Sequence, residues 1–85
     1  MDEKEIMKMA ISKYGDESQI DMAIEEMSEL TKALLKRRRK IGSIDDILEE
    51  MADVSIMLDQ LEIIFGDYKK IRDYKMCRLE SRIKN

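Results

Sequence analysis

The positions of helix-breaking residues constrain the fold of this chain more than any other feature. The sequence contains no proline, and its three glycines, Gly15, Gly42 and Gly66, divide it into four segments. Glycine commonly follows the last residue of a helix, because it adopts a positive φ at little cost. The spacing therefore predicts four helices, near residues 2–14, 17–40, 44–65 and 67–83.

Each glycine is followed by a signal for the start of a helix. Asp16 and Gln19 follow the first glycine with the spacing of a capping box. Ser43 follows the second glycine, and Asp67 follows the third. These residues strengthen the predicted helix boundaries.

Apolar residues in the second and third segments recur every three or four residues, as in an amphipathic helix. No segment alternates with the two-residue period of a strand, so the sequence predicts an all-α fold. The 85 residues are enough for one domain, 1–85, but too few to enclose a large core. A single cysteine excludes an intramolecular disulfide, so we expect a helical oligomer.

Two acidic pairs lie within the predicted second and third helices. Glu26 and Glu29 are three residues apart in one helix, and Glu50 and Asp53 are three apart in the next. Residues at this spacing project from one helix face, with Cβ atoms about 5–6 Å apart. Both pairs continue apolar stripes, so they are predicted to face the interior of the fold.

The break near Gly42 is short, so the two helices are expected to form an antiparallel hairpin. Glu29 lies thirteen residues before Gly42 and Asp53 lies eleven after it, so the acidic pairs should face each other. Their acidic neighbours Glu25 and Glu49 are predicted to project outwards to solvent.

Carboxylates that converge in a partly apolar cleft raise one another's pKa values unless a cation lies among them. The chain has no histidine, and ligation by oxygen alone favours a hard ion, Mg²⁺ or Mn²⁺. Mg²⁺ commonly binds through carboxylates and substrate phosphates, so the pattern predicts a site that handles phosphate. The alternative is that all four acids are solvated residues on the surface of a Glu-rich helical protein.

At these residues the sequence resembles the MazG-like branch of the all-α nucleoside triphosphate pyrophosphohydrolase superfamily. The signature of that family, E-E-x-x-E followed by E-x-x-D, is matched by residues 25–29 and 50–53. Tyr14 and Gly15 before the second helix, and Leu30 after the first acidic group, are similar to the family as well. The resemblance covers essentially the whole chain.

The resemblance implies an antiparallel bundle of about four helices that assembles as a homo-oligomer, either a dimer or a tetramer. It also implies Mg²⁺-dependent hydrolysis of a (d)NTP between the α and β phosphates, giving a (d)NMP and pyrophosphate. Mn²⁺ is an alternative ion. The catalytic residues and metal ligands carried over from the family are Glu26, Glu29, Glu50 and Asp53.

A basic face on the predicted fourth helix provides candidates for phosphate binding. Lys75, Arg78 and Arg82 align along this face, where they would neutralise triphosphate charge. The family places a lysine on its last helix near the phosphates, and Lys75 resembles that lysine. Many members also carry an asparagine there, whereas the only asparagine in this chain is Asn85. The alternative is a solvated basic face that balances the acidic helices.

The basic run at residues 36–40 ends the predicted second helix, where cations complement the helix dipole. Its alternative role is contact with a triphosphate across an oligomer interface. Nucleic-acid binding is not expected, because no aromatic residues interleave with the run and the net charge is −3. No apolar run approaches the ~20 residues of a membrane span, so no membrane partner is expected.

The single free cysteine, Cys77, fits a reducing cytoplasm. The acidic pattern and the family resemblance together leave two expected functions. The first is the cytoplasmic nucleotide pyrophosphohydrolase, and the alternative is a non-catalytic helical oligomeric interaction module.

Overall fold

Every regular element in the computed structural model, which describes residues 1–85, is an α-helix. Helix α1 spans Glu3–Tyr14, α2 spans Asp16–Arg38, α3 spans Ile44–Phe65 and α4 spans Lys69–Lys84. These four helices, without any strand, confirm the predicted all-α fold. Each boundary lies within two residues of its predicted position.

The glycines lie at helix ends because the backbone there needs a positive φ. Gly15, at φ 92°, donates its N–H to the last turn of α1 at 2.8 Å and ends that helix. Gly66, at φ 122°, ends α3 in the same way. Between α2 and α3 the chain reverses through Lys40 at φ 62° and Gly42 at φ 106°.

Two of the predicted start signals have different outcomes. The hydroxyl of Ser43 accepts a hydrogen bond from the Asp46 N–H at 3.1 Å and caps α3. The capping box of Asp16 and Gln19 does not form, because Asp16 is itself the first helical residue and no side chain caps α2. Gln19 lies buried against α3 instead.

The α2–α3 antiparallel hairpin forms most of the packing, and α1 contacts both of its helices. Helix α4 packs against none of the other three, and all of its residues are exposed. Seven of its residues are basic, and its apolar residues, such as Ile71 and Leu79, are exposed to solvent. One chain therefore forms a three-helix unit with α4 standing apart, rather than a closed four-helix bundle.

Very little of the chain is enclosed. The buried residues are Ala23, Met57, Gln19 and Gln60, so half of this set is polar. Large apolar side chains stay exposed, among them Leu48 at 55% and Phe65 at 72%. A small core agrees with the length of the chain.

None of the four helices has both the length and the apolar composition needed to cross a lipid bilayer.

Candidate metal centre

Three carboxylates meet across the α2–α3 hairpin, and we call Glu26, Glu50 and Asp53 the carboxylate trio. Each of them offers one oxygen atom, and these three atoms lie within 4.8 Å of one another. Glu26 and Glu50 are partly buried, whereas Asp53 is exposed. The structure thus brings together three of the four acids to which the sequence pointed.

The local sequence explains why these side chains meet. Glu50 and Asp53 share one face of α3, because they are three residues apart. The chain reverses between residues 39 and 43, so residues at similar distances from the turn lie opposite each other. The negative charge of Asp53 is consequently close enough to raise the pKa of Glu26 on α2, and that of Glu29 on α2 is close enough to raise the pKa of Glu50.

Electrostatic effects raise the pKa values of two of these acids. Burial, then the charge of Asp53 and a hydrogen bond to its carboxyl group, raise the pKa of Glu26 above its ordinary value of 4.5. Burial, then the charges of Asp53 and Glu29, raise the pKa of Glu50. Each of these causes raises the pKa, so no basic side chain of the protein offsets the negative charge around Glu26 and Glu50.

One oxygen of the trio is unsatisfied. Oε2 of Glu50 is buried and has no hydrogen-bond partner, and it is the only buried side-chain atom of this kind in the chain. Leaving a buried acceptor without a partner is unfavourable, and native proteins rarely do so. This atom therefore needs a proton, a water molecule or a cation that the protein chain does not supply.

Glu29 lies beside the trio rather than within it. Its carboxylate contacts the Lys32 ammonium at 3.4 Å, one turn further along α2. Both side chains are about half exposed or more, so this ion pair is weak. Glu29 is not among the acids whose oxygens converge within 4.8 Å.

A surface cavity of about 270 Å³ adjoins the trio between α2 and α3. Two lysines, Lys32 and Lys36, line it together with the acids. Lys32 was not singled out from the sequence, although its three-residue spacing from Glu29 was a visible signal. The lining residues are Glu29, Lys32, Ala33, Lys36, Gly42, Ser43, Asp46 and Glu50.

The donor set of the trio fits a hard divalent cation. Oxygen atoms on opposite sides of an octahedral Mg²⁺ ion lie about 4.2 Å apart, since each metal–oxygen distance is about 2.1 Å. The oxygens of the trio lie within 4.8 Å of one another, about 0.6 Å more than this value, so the side chains would have to move closer together to bind one ion. The three candidate donors are all carboxylate oxygens, which suit Mg²⁺ or Mn²⁺ better than softer metals.

The basic residues of α4 lie elsewhere in the single chain. Lys75, Arg78 and Arg82 are exposed on a helix that packs against no other, so one chain does not bring them to the trio. The guanidinium of Arg78 lies 5.9 Å from the centre of the Tyr74 ring. Glu25 and Glu49 are exposed, as their outward projection predicted.

The chain matches no protein-family model, no curated protein and no solved structure. Its relation to the MazG-like superfamily therefore stays a prediction from the acidic spacing and the order of the helices.

Proposed function

We propose that this protein is a Mg²⁺-dependent nucleoside triphosphate pyrophosphohydrolase, which converts a (d)NTP and water into a (d)NMP and pyrophosphate. The observation that supports this most directly is the buried, unpartnered Oε2 atom of Glu50 within the carboxylate trio. Mg²⁺ typically binds proteins through a few carboxylates and completes its coordination with water and substrate phosphates. An acidic site that opens into a cavity meets both requirements.

In the proposed reaction, water adds to the α-phosphorus and loses a proton to solvent, the bond to the bridging oxygen breaks, and pyrophosphate leaves with the electron pair. Bound Mg²⁺ supplies Lewis-acid polarisation of the phosphate and lowers the pKa of water. Glu26, Glu50 and Asp53 would hold the ion in place. Lys32 and Lys36, which line the adjoining cavity, offset the negative charge of the phosphates.

The proposed enzyme works as a homo-oligomer. The chain exposes 7166 Å², whereas a compact monomer of 10.1 kDa exposes about 5,300 Å². The excess of about 1,900 Å² lies within the roughly 1,000–2,500 Å² that each partner buries in an obligate dimer. The size of the cavity also supports an oligomer. Its volume of about 270 Å³ is less than the roughly 300–1,000 Å³ of a complete ligand site, so a second subunit would complete it.

Charge complementarity supports a particular arrangement of this oligomer. Helix α3 carries seven acidic residues and no basic residue, whereas α4 carries seven basic and two acidic residues. The two helices do not pack together within one chain. We place α4 of one subunit near the acidic hairpin of another, where Lys75, Arg78 and Arg82 of the partner subunit would approach the phosphates.

A pyrophosphate-release assay over the eight common (d)NTPs, with and without Mg²⁺, tests this function. Wild type should release pyrophosphate from at least one of them only when the metal is present. Glu50→Gln should abolish the release, because it removes a charge from the trio. Glu49→Gln is the matched control, since Glu49 is exposed and lies outside the trio. Equal release by wild type and Glu50→Gln would show that the site is wrongly assigned.

The exposed apolar residues favour a second candidate, a non-catalytic helical interaction module. Isothermal titration with Mg²⁺ and a non-hydrolysable nucleotide distinguishes the two functions. The enzyme should bind the nucleotide only with the metal present, whereas a pure interaction module should show no metal-dependent binding.

A further inference from the structure

A buried hydrogen bond joins α2 to α3 at a distance from the carboxylates. The Gln19 side-chain N–H donates to Oε1 of Gln60 at 2.6 Å, and both residues are buried. It is the only hydrogen bond between fully buried side chains of two different helices. The other side-chain pairing across the hairpin joins the carboxyl groups of Glu26 and Asp53, and Asp53 is exposed. This amide pair is therefore the one buried, directional contact that fixes the two helices relative to each other without a proton on a carboxyl group.

The spacing of the amide pair matches that of the trio. Gln19 lies seven residues before Glu26 on α2, and Gln60 lies seven residues after Asp53 on α3. Seven residues are almost two helical turns, so all four side chains lie along the same seam of the hairpin. The register in which the amides pair is thus the register in which Glu26 faces Asp53.

The carboxylates lie between two fixed points. On one side is the short turn that ends at Ser43, and on the other is the Gln19–Gln60 bond. Repulsion between the acids tends to separate or shift the helices. Apolar contacts resist this poorly, because they are not directional. A shift of α3 along α2 would, by contrast, leave two buried amides without partners, which is strongly unfavourable.

We propose that Gln19 and Gln60 are positioning residues, which hold α2 and α3 in the register that aligns Glu26 with Asp53 for metal binding. The metal-binding part rests on the proposed function, whereas the register itself does not. Buried polar pairs often add little net stability and instead specify a single register. This explains why polar residues occupy half of so small a core.

The first test separates stability from positioning. In the double variant Gln19→Leu/Gln60→Leu, apolar packing replaces the hydrogen bond, so its melting temperature should equal or exceed that of wild type. Its affinity for Mn²⁺, measured by electron paramagnetic resonance, should nevertheless fall about tenfold or more, as for other changes outside the ligand shell. A loss of affinity at full stability is not expected from a merely structural role.

The second test measures register without any metal. Spin labels at cysteines replacing the exposed Asp21 and Asp45, in a Cys77→Ser background, report the distance between α2 and α3. Labelled chains are diluted with unlabelled ones to suppress distances between subunits. The otherwise native hairpin should give one narrow distance. The double leucine variant should add a population displaced by about one helical turn, 5.4 Å.

An unchanged distance distribution in the double leucine variant overturns the positioning proposal, whatever its metal affinity. A displaced population with wild-type affinity for Mn²⁺ overturns the link from register to the metal site. If wild type itself binds no Mn²⁺, the proposed function fails, while the distance measurement still decides the role of the amide pair.

Discussion

Glu26 of α2 and Asp53 of α3 face each other across the hairpin, with carboxylate oxygens no more than 4.8 Å apart. The two residues are 27 positions apart in the sequence, so only the reversal of the chain at residues 39–43 brings them together. Two like charges at this distance, with Glu50 beside them, destabilise the metal-free fold. A proton or a cation relieves the repulsion, so the stability of the protein should depend on pH and on divalent metal.

Glu50→Gln should abolish high-affinity metal binding while leaving the metal-free fold at least as stable as wild type. The substitution removes one of the repelling charges, but it also removes a ligand. Mn²⁺ titration followed by electron paramagnetic resonance should show a loss larger than the roughly 10- to 100-fold typical of changes outside the ligand shell. Glu49→Gln, in which the neighbouring exposed acid is changed, should bind like wild type. Equal affinities in the two variants would contradict the assignment.

Mg²⁺ should raise the melting temperature of wild type, because it binds the native site and not the unfolded chain. At a free concentration of 100 times Kd, the expected stabilisation is about 2.7 kcal/mol. Differential scanning fluorimetry across a Mg²⁺ series measures the shift. Ca²⁺ and Na⁺ at matched ionic strength serve as controls, and Glu50→Gln should show no specific shift. The same shift in wild type and Glu50→Gln would indicate binding elsewhere.

Without metal, Glu26 and Glu50 should make the protein less stable as the pH rises, the opposite of the usual effect of acidic residues. The folded-state pKa values of Glu26 and Glu50 are raised, so the native state holds more protons than the unfolded state. The free energy of unfolding contributed by these groups should therefore be greatest below their ordinary pKa of 4.5. It should fall as the pH rises through the raised values.

Urea unfolding of wild type and of Glu26→Gln/Glu50→Gln between pH 4 and 8 measures this contribution by difference. As the pH rises, the free energy of unfolding of the double variant should increase relative to that of wild type, because the variant lacks both titrating groups. Saturating Mg²⁺ should reverse the trend for wild type, since the metal binds the deprotonated carboxylates. A difference that stays constant across this range without metal would refute the prediction.

Glu29→Gln should reduce Mn²⁺ affinity less than Glu26→Gln does. Glu29 pairs with Lys32 and lies outside the trio, whereas Glu26 belongs to it. Calorimetric titration of the two variants compares them directly. Lys32→Met should free the Glu29 carboxylate and leave metal binding intact, while it weakens nucleotide binding by removing a positive charge from the cavity. An equal loss of affinity in Glu29→Gln and Glu26→Gln would place Glu29 in the ligand shell.

Removal of α4 should disrupt the oligomer. Wild type is expected to sediment as a dimer or tetramer in analytical ultracentrifugation, given its excess exposed surface. A chain ending at Asp67 should dissociate to a smaller species, because it loses the basic helix proposed to contact a second subunit. A milder variant, Arg78→Glu/Arg82→Glu, keeps the length and should weaken association through charge alone. A monomeric wild type would contradict the proposed assembly.

The sequence determined the local structure of the molecule. The three glycines and the absence of proline determined where the four helices end, because the ability to adopt a positive φ is a property of the single residue. The spacing of Glu50 and Asp53 on one helix face followed from the helical repeat in the same way. The α2–α3 hairpin could also be predicted from local sequence, because a short connection between two helices favours antiparallel packing. The site was predictable to this extent, as two acidic pairs facing each other.

The tertiary structure alone decided which side chains meet and which stand apart. It placed Glu26 in the carboxylate trio and Glu29 beside Lys32, because rotation and register between helices depend on packing along the whole seam. Gln19, which the sequence predicted to be part of a capping box, hydrogen-bonds to Gln60 of α3 instead. It also left α4 without a partner, since the pairing of helices depends on contacts between distant residues and not on the helical pattern of any one segment.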